Sequence, residues 1–314
     1  MDKLEGMRIF VVVADARGFA AAARQLGMSP PAVTRAIAAL EARVGTQLLR
    51  RSTRQVVLTE AGARFHADCK RILAEVDAAE ASASGAHDVP QGQLAITAPV
   101  IFGRLHVAPV LQTFLDLHPR VTARSLYTDQ VVHLLDEGLD VAVRIAHLPD
   151  SGLVAVRAGQ VRRVVVASPE YLAEHGVPRV PADLAQHLGV GFSQHGSVSA
   201  PWVFHPPGRK GRSEGETAHP QIRQLTNAGD ASIGAALAGQ GLVRALSYQV
   251  AEHVLAGRLH IVMADHEPPP IPVQLVYADG RRAAAKVRAF VEHAVERLRA
   301  EPVLNGRLRW PDPP

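Results

Sequence analysis

A single cysteine, Cys69, stands among 314 residues, so no disulfide can close within the chain. Aromatic residues are scarce as well, at 4%. A charged start followed by a short apolar run and a cleavage site is missing, which points away from secretion and toward the cytoplasm. No apolar run approaches the ~20 residues of a membrane span, so no membrane partner is expected. Catalytic signatures are missing too: there is no GxSxG, P-loop, GxGxxG or HExxH. Asp230-Ala231-Ser232-Ile233-Gly234 sets a serine before a helix but lacks the glycine on which a nucleophile elbow turns. The fifteen histidines are scattered, and His66 with Cys69 supplies only two ligands, too few for a structural zinc site. These absences leave no catalytic residue, no metal and no cofactor to name. Cys69 has no second cysteine to resolve a sulfenic acid, so it reads as a small packing residue.

What is present begins with charge. Residues 1–62 carry nine Lys and Arg against five Asp and Glu, whereas residues 63–314 carry twenty-five of each sign. The whole formal net charge of +4 therefore sits in the first fifth of the chain. A basic end on a neutral body suits a partner that presents phosphates.

The same end reads as three helices and a wing. Leu4, Met7, Phe10, Val11 and Ala14 form one apolar stripe. Alanine-rich Phe19–Leu26 is helical by propensity and stops at Gly27. Ser29 offers an N-cap oxygen and Pro30 fills the first position of the next helix. Val33, Ile37, Leu40 and Val44 recur at helical spacing and should face a core, leaving Pro31, Thr34, Arg35 and Ala38 on another face. Short helix, glycine turn and second helix fit a plain αα-hairpin or a DNA-reading helix-turn-helix, and the stripe upstream and the basic wing downstream favour the second. Leu48–Arg54 followed by Gln55–Leu58 reads as two extended pieces around a basic tip. The candidate DNA contacts are Ser29, Pro30, Pro31, Thr34, Arg35, Arg51, Thr53 and Arg54, with Arg35 on a base edge and Arg51 or Arg54 on phosphate or the minor groove.

Thr59 should cap a long helix in which Phe65, Cys69, Ile72, Val76, Ala79 and Ala83 recur in steps of four and three. That period, close to 3.5, marks a seam against another helix, and a second copy of the chain is the expected partner, held by Phe65, Cys69, Ile72 and Val76. The breaker-rich stretch 82–92 reads as a hinge. Strands and helices then alternate: strand Leu94–Ala98, helix Phe102–Leu117, strand Val121–Tyr127, helix Val131–Gly138, strand Asp140–Ile145. A second set follows, at Arg163–Ala167, Glu170–His175, Leu188–Phe192, Ile222–Leu225, Ala231–Gly239, Leu242–Ala245 and Leu259–Met263. Val273–Tyr277 and helix Ala283–Arg299 complete the first set; Gly196–Gly215 reads as a loop and Asn305–Pro314 as a frayed tail. The fold class is α+β, with two α/β lobes enclosing a cleft. The expected divisions are 1–59 for the winged helix-turn-helix and 60–91 for linker helix and hinge. The lobes take 92–300 (92–162 with 269–300, and 163–268), and 301–314 is a flexible tail.

These motifs resemble the LysR-type transcriptional regulators over Leu4 to Arg299. The resemblance is carried by Phe10, Ala14, Phe19, Ala22-Ala23, Leu26, Ser29, Pro31-Ala32-Val33, Ile37, Leu40-Glu41, Gly45, Leu48, Arg51, Arg54 and Leu58-Thr59-Glu60-Ala61-Gly62. Further matches are Glu137–Arg144, Ala167–Leu172, Pro181–Leu184 and Gly239–Leu242. The resemblance implies a winged helix-turn-helix, a dimerising linker helix and a periplasmic-binding-protein-like sensor. It also implies a homodimer or dimer of dimers on double-stranded promoter DNA, a small-molecule effector between the lobes, and no enzymatic activity; RNA polymerase is a further candidate partner. The competing readings are a solute-binding protein and an enzyme built on the lobes. The basic N-terminal module argues against the first.

The chain departs from the family pattern in three places. Arg17-Gly18 and Ala20 replace residues that often cap or contact phosphate, and Pro30 replaces a frequent base-reading glutamine, so readout leans on Thr34, Arg35 and the wing. Pro99-Val100-Ile101-Phe102 stands where many members present a hydroxyl to an anionic effector. A less polar, aromatic or hydrophobic effector is expected. Its candidate wall residues, at the carboxyl ends of the strands, are Thr97, Pro99, Phe102, Tyr127, Thr128, Arg144, His147, Phe192, Asn227 and Asp230.

Overall fold

The structure, a computed structural model, describes residues 2–51, 56–83, 89–134, 137–193, 201–205, 215–278 and 283–312. They fall into two compact units: Met1–Val89 with His133–Leu139, and Pro90–Val132 with Asp140–Pro314.

In the first unit, α1 (Lys3–Asp15), α2 (Phe19–Leu26) and α3 (Pro30–Val44) share one core. Ile9, Phe10 and Val13 meet Ala22 and Ala23, whose small side chains let α2 approach closely, and Val33, Ala36, Ile37 and Leu40 close the third side. Gly27 takes φ 63°, the left-handed turn that ends α2. Two local expectations are corrected. The Ser29 hydroxyl makes no cap bond; its carbonyl instead accepts from the Ala32 and Val33 amides. Val44 lies 38% exposed, because the core ends a turn earlier at Leu40 and Ala36 fills the stripe instead.

The wing strands β1 (Leu49–Arg51) and β2 (Val56–Leu58) pair antiparallel. Glu41 Oε1 on α3 accepts from the Leu48 and Leu49 amides, and the Val56 amide donates to Arg17 O, so the wing hangs on both helical turns. Thr59 caps α4 (Glu60–Ala83), accepting from the Gly62 amide at 2.9 Å while its hydroxyl donates to Gln47 O. A Cβ on Gly62 would lie 1.9 Å from Leu48 O, so only glycine lets α4 start this close to the wing. The seam reading of α4 needs correction at two residues. The Phe65 ring packs 5.5 Å from Phe10, and Cys69 is fully buried in the core around α1, with its thiol pushed up to about 11 by burial. Asp15 on α1 also binds His66 and Lys70 on α4. α1 thus covers the first half of the stripe, which spacing within α4 could not reveal.

The second unit holds two five-stranded sheets. Strands β3 (Gly92–Ala98), β4 (Val121–Tyr127), β5 (Val141–Ile145) and β6 (Val154–Val161) form the first with β14 (Ile271–Tyr277), in the order β4-β3-β5-β14-β6. The second is β11-β8-β12-β7-β13, from β7 (Arg163–Ala167), β8 (Leu188–Phe192), β11 (Gln221–Thr226), β12 (Leu242–Leu246) and β13 (His260–Val262). In each, three strands run parallel and the pairings that follow are antiparallel. The chain crosses from the first sheet to the second between β6 and β7 and returns between β13 and β14. One apolar core runs from Leu94 and Ile96 through Val164, Val166 and Val190.

The helices of this unit differ from expectation in several places. The helix after β3 begins at α5 (Val100–Phe102), passes through a π-turn at Gly103–Val107, and continues as α6 (Ala108–Leu117). By length and composition alone this 100–117 stretch, with mean hydropathy 1.2, would pass for a membrane span, a test that a core helix also passes. Its Phe102, Val107, Leu111 and Phe114 face the core. Val131–Gly138 is not a helix among its described residues: Val131 is 80% exposed, Leu134 buries alone, and Gly138 turns at φ 59°. Within Gly196–Gly215, Trp202–Phe204 forms β9, paired with β10 (Glu216–Ala218), because Trp202 and Phe204 bury in the core beneath α7 (Pro169–His175). Helix α9 (Ser247–Leu255), which follows α8 (Gly229–Leu237), and strand β6 add to the expected elements.

The tail is likewise corrected. Beyond α10 (Ala285–Ala300), α11 (Pro302–Asn305) buries Leu304 fully, with Leu304 O 2.9 Å from where a Cβ on Gly159 would stand. Trp310 packs on the same core, 5.2 Å beneath the Arg162 guanidinium.

Candidate functional site

The outer face of α3 is the first candidate. Ser29, Pro30, Pro31, Arg35 and Ala38 are exposed and Thr34 is half-buried, because Val33, Ala36, Ile37 and Leu40 occupy the opposite side. Helical geometry sets Pro31, Arg35, Ala38 and Ala42 within a narrow stripe. Small side chains there let the backbone come near a partner, while Arg35 supplies one long, forked donor. Arg51 ends β1; its side chain, together with Thr53 and Arg54, lies outside the described residues.

The second candidate lies where α5 meets the second sheet's helices. Pro99 precedes α5, and Val100 is 41% exposed there. The Val100 amide donates to Asp129 Oδ1 at 3.1 Å, and the Thr128 hydroxyl accepts from the Gln130 amide. Tyr127 lies flat against Gly103, where a Cβ would come 2.4 Å from its ring. Ile101 reaches Gly229 at the start of α8, where a Cβ would stand 3.0 Å from Ile101 Cδ1 and 3.7 Å from Gln249 Nε2. Pro99, Tyr127, Thr128 and the Gly229–Asp230 turn are therefore gathered around α5.

Phe102 does not line an open wall. It is fully buried, 5.1 Å from Tyr248 and 4.8 Å from His106. Burial pushes His106 down to about 4 and raises Tyr248, and His106 Nε2 is buried without a partner among the described residues. Thr97 and Arg144 lie apart from this cluster. Their neighbours Ile96, Ala98, Val141 and Val143 face the core, so alternation turns both residues to the other side of the sheet. There Thr97 Oγ1 is buried without a partner among the described residues, and Arg144, lowered by burial, donates to Val132 O. His147 is exposed beyond β5, and Asn227 and Asp230 are exposed beyond β11. Phe192 is half-buried at the end of β8, opposite Thr226. Sequence reasoning missed Asp129, His106, Tyr248 and Gln249. Asp129 follows Thr128 directly and carried a local signal; the other three are brought in by packing across the two sheets.

Family models match the two stretches of chain that hold these candidates. The family described as "Bacterial regulatory helix-turn-helix protein, lysR family" matches residues 4–63, and "LysR substrate binding domain" matches residues 87–299. A HTH-type transcriptional regulator of Xanthomonas campestris is 34% identical over 293 residues, covering 92% of this chain and 84% of its own. The regulator CrgA of Neisseria meningitidis is 32% identical over 295 residues, covering 94% and 96%. A solved structure of CrgA, titled as a LysR-type transcriptional regulator, aligns with a TM-score of 0.59 at 31% identity, over 94% of this chain and 98% of that one. The crystal structure of a full-length variant of AphB aligns at 0.61 over 94% and 98%, and at 24% identity it speaks for the fold alone.

Proposed function

The chain belongs to the LysR-type transcriptional regulators, and we propose that it binds paired half-sites in promoter DNA as a homodimer or dimer of dimers in the cytoplasm. Members of this family are regulators rather than enzymes; they bind DNA through the helix-turn-helix and a small-molecule effector through the substrate-binding domain. The observation that carries the finer reading is the exposed stripe of α3, where Arg35 projects from small neighbours as a base-reading side chain must. Ser29, Pro30, Pro31 and Thr34 set the close approach, and Arg51, Thr53 and Arg54 on the wing contact the backbone. Residues 1–59 form the reading head, 60–91 the linker and 92–300 the sensor; on the linker, Ile72 and Val76 remain for the partner. RNA polymerase is a further contact in this scheme.

The effector sits around α5, between the lobes, and is neutral or apolar. Two observations support this. Val100 and Ile101 offer no hydroxyl, and Asp129 already places the chain's own carboxylate on the Val100 amide, where an anionic effector would otherwise bind. The test of the whole reading is a genomic map of bound sites combined with a salt titration on one of them. Short paired sequences and an affinity that falls steeply with salt are expected; retention of no specific DNA, or salt-independent binding, would overturn it.

A further inference from the structure

Adjacent arginines Arg162 and Arg163 are treated oppositely by the fold. Arg162 is held in a two-bond fork by Glu267, Nε to Oε2 at 2.7 Å and Nη2 to Oε1 at 2.6 Å. Arg163, one residue on, has no carboxylate against it among the described residues; nor has Arg244.

The register of β7 and β12 brings these two together. Arg163 pairs with Leu246 and Val165 with Arg244, so Arg163 and Arg244 are diagonal neighbours on one face of the sheet. Diagonal positions lie about 7–8 Å apart, within reach of long side chains. The floor between them is apolar: Val165, Val262 across the next ladder, and Trp202, whose ring lies 5.7 Å from the Arg244 guanidinium. Arg244 Nη1 also donates to Pro201 O at 2.8 Å, which fixes its fork and, among the described residues, leaves further donors unused. Burial, together with the proximity of Arg163, pulls Arg244 down to about 10, and burial lowers Arg163 too. Two like charges over an apolar floor repel each other and lose hydration. A planar guanidinium pair in that setting matches an oxyanion that presents two oxygens.

We propose that Arg163 and Arg244 form a binding site for a small oxyanion, a phosphate or a carboxylate, on the second sheet. It stands apart from α5, since Val164, Val166, Val243 and Ala245 of the same strands face the common core on the other side. The effector reading is not needed for it.

The experiment uses the full-length protein and two probes, inorganic phosphate and malonate, against chloride at matched ionic strength. Isothermal titration should show saturable binding of at least one probe, and thermal denaturation should show a rise in Tm that chloride does not give. Arg163→Gln should weaken that binding at least tenfold, whereas Arg223→Gln on exposed β11 should not. In chloride alone Arg163→Gln should raise Tm, because it removes the repulsion on Arg244. Saturation by phosphate alone would identify the ligand as a phosphate, and by malonate alone as a carboxylate. Equal responses to all three salts, or unchanged binding in Arg163→Gln, would overturn the proposal. So would a lower Tm for Arg163→Gln in chloride, since the chain would then supply the counter-charge itself.

Discussion

Lowering the pH from 7 to 5 should loosen the sensor, and His106 should carry a separable share of the loss. Its ring lies 4.8 Å from Phe102 and 5.6 Å from Tyr248, and its Nε2 is buried with no hydrogen-bond partner among the described residues to stabilise a protonated ring. Burial moves it from 6.5 to about 4. The folded state therefore holds fewer protons than the unfolded state between those values. The stability this contributes is full above 6.5 and is lost as the pH falls toward 4. At pH 5 the loss comes to about 2 kcal/mol, from a full shift worth about 3 kcal/mol. The assay is urea unfolding followed by tryptophan emission, which reports only the second unit because both tryptophans, Trp202 and Trp310, belong to it. His187 and His293 are also lowered by burial, so the wild type alone would mix several groups. His106→Leu isolates the one in question: the wild type should lose about 2 kcal/mol more than the variant between pH 7 and 5. Equal losses in the two proteins would refute the reasoning.

Other outcomes follow from the fold. Arg35→Ala should weaken specific DNA binding by about 1–3 kcal/mol and relax preference at one position per half-site; unchanged preference in a site-selection assay would mean that α3 is oriented differently. Ile72→Glu, which leaves Phe65 and Cys69 in their own core, should give a folded sensor that sediments as a monomer and binds DNA weakly; a parent protein already monomeric would defeat this. Leu304→Ala should destabilise the second unit by about 2–5 kcal/mol in the same emission assay, because Leu304 is fully buried; a loss under half a kcal/mol, roughly the surface level, would show the tail to be frayed after all.

Much of the chain was legible locally, where neighbours in sequence decide the outcome. The glycine stop at Gly27, proline at the start of α3, the Thr59 cap and the repeating apolar positions specify the helix-turn-helix, since caps and periodicity act within one or two turns. Short apolar runs alternating with helices likewise marked β3, β4, β5, β7, β8, β11, β12, β13 and β14, most of them too deeply buried to show period two. Strand β6 was missed because a bulge between Arg157 and Gly159 breaks its alternation midway, and β9 because three residues carry too little pattern. The effects of long-range packing lay beyond sequence. α1 claimed Phe65 and Cys69 from the expected seam, and the core claimed Phe102 from the expected wall. Register alone set Arg163 beside Arg244, eighty-one positions away in the chain. Periodicity tells which side of an element is apolar; only tertiary packing decides which element covers it.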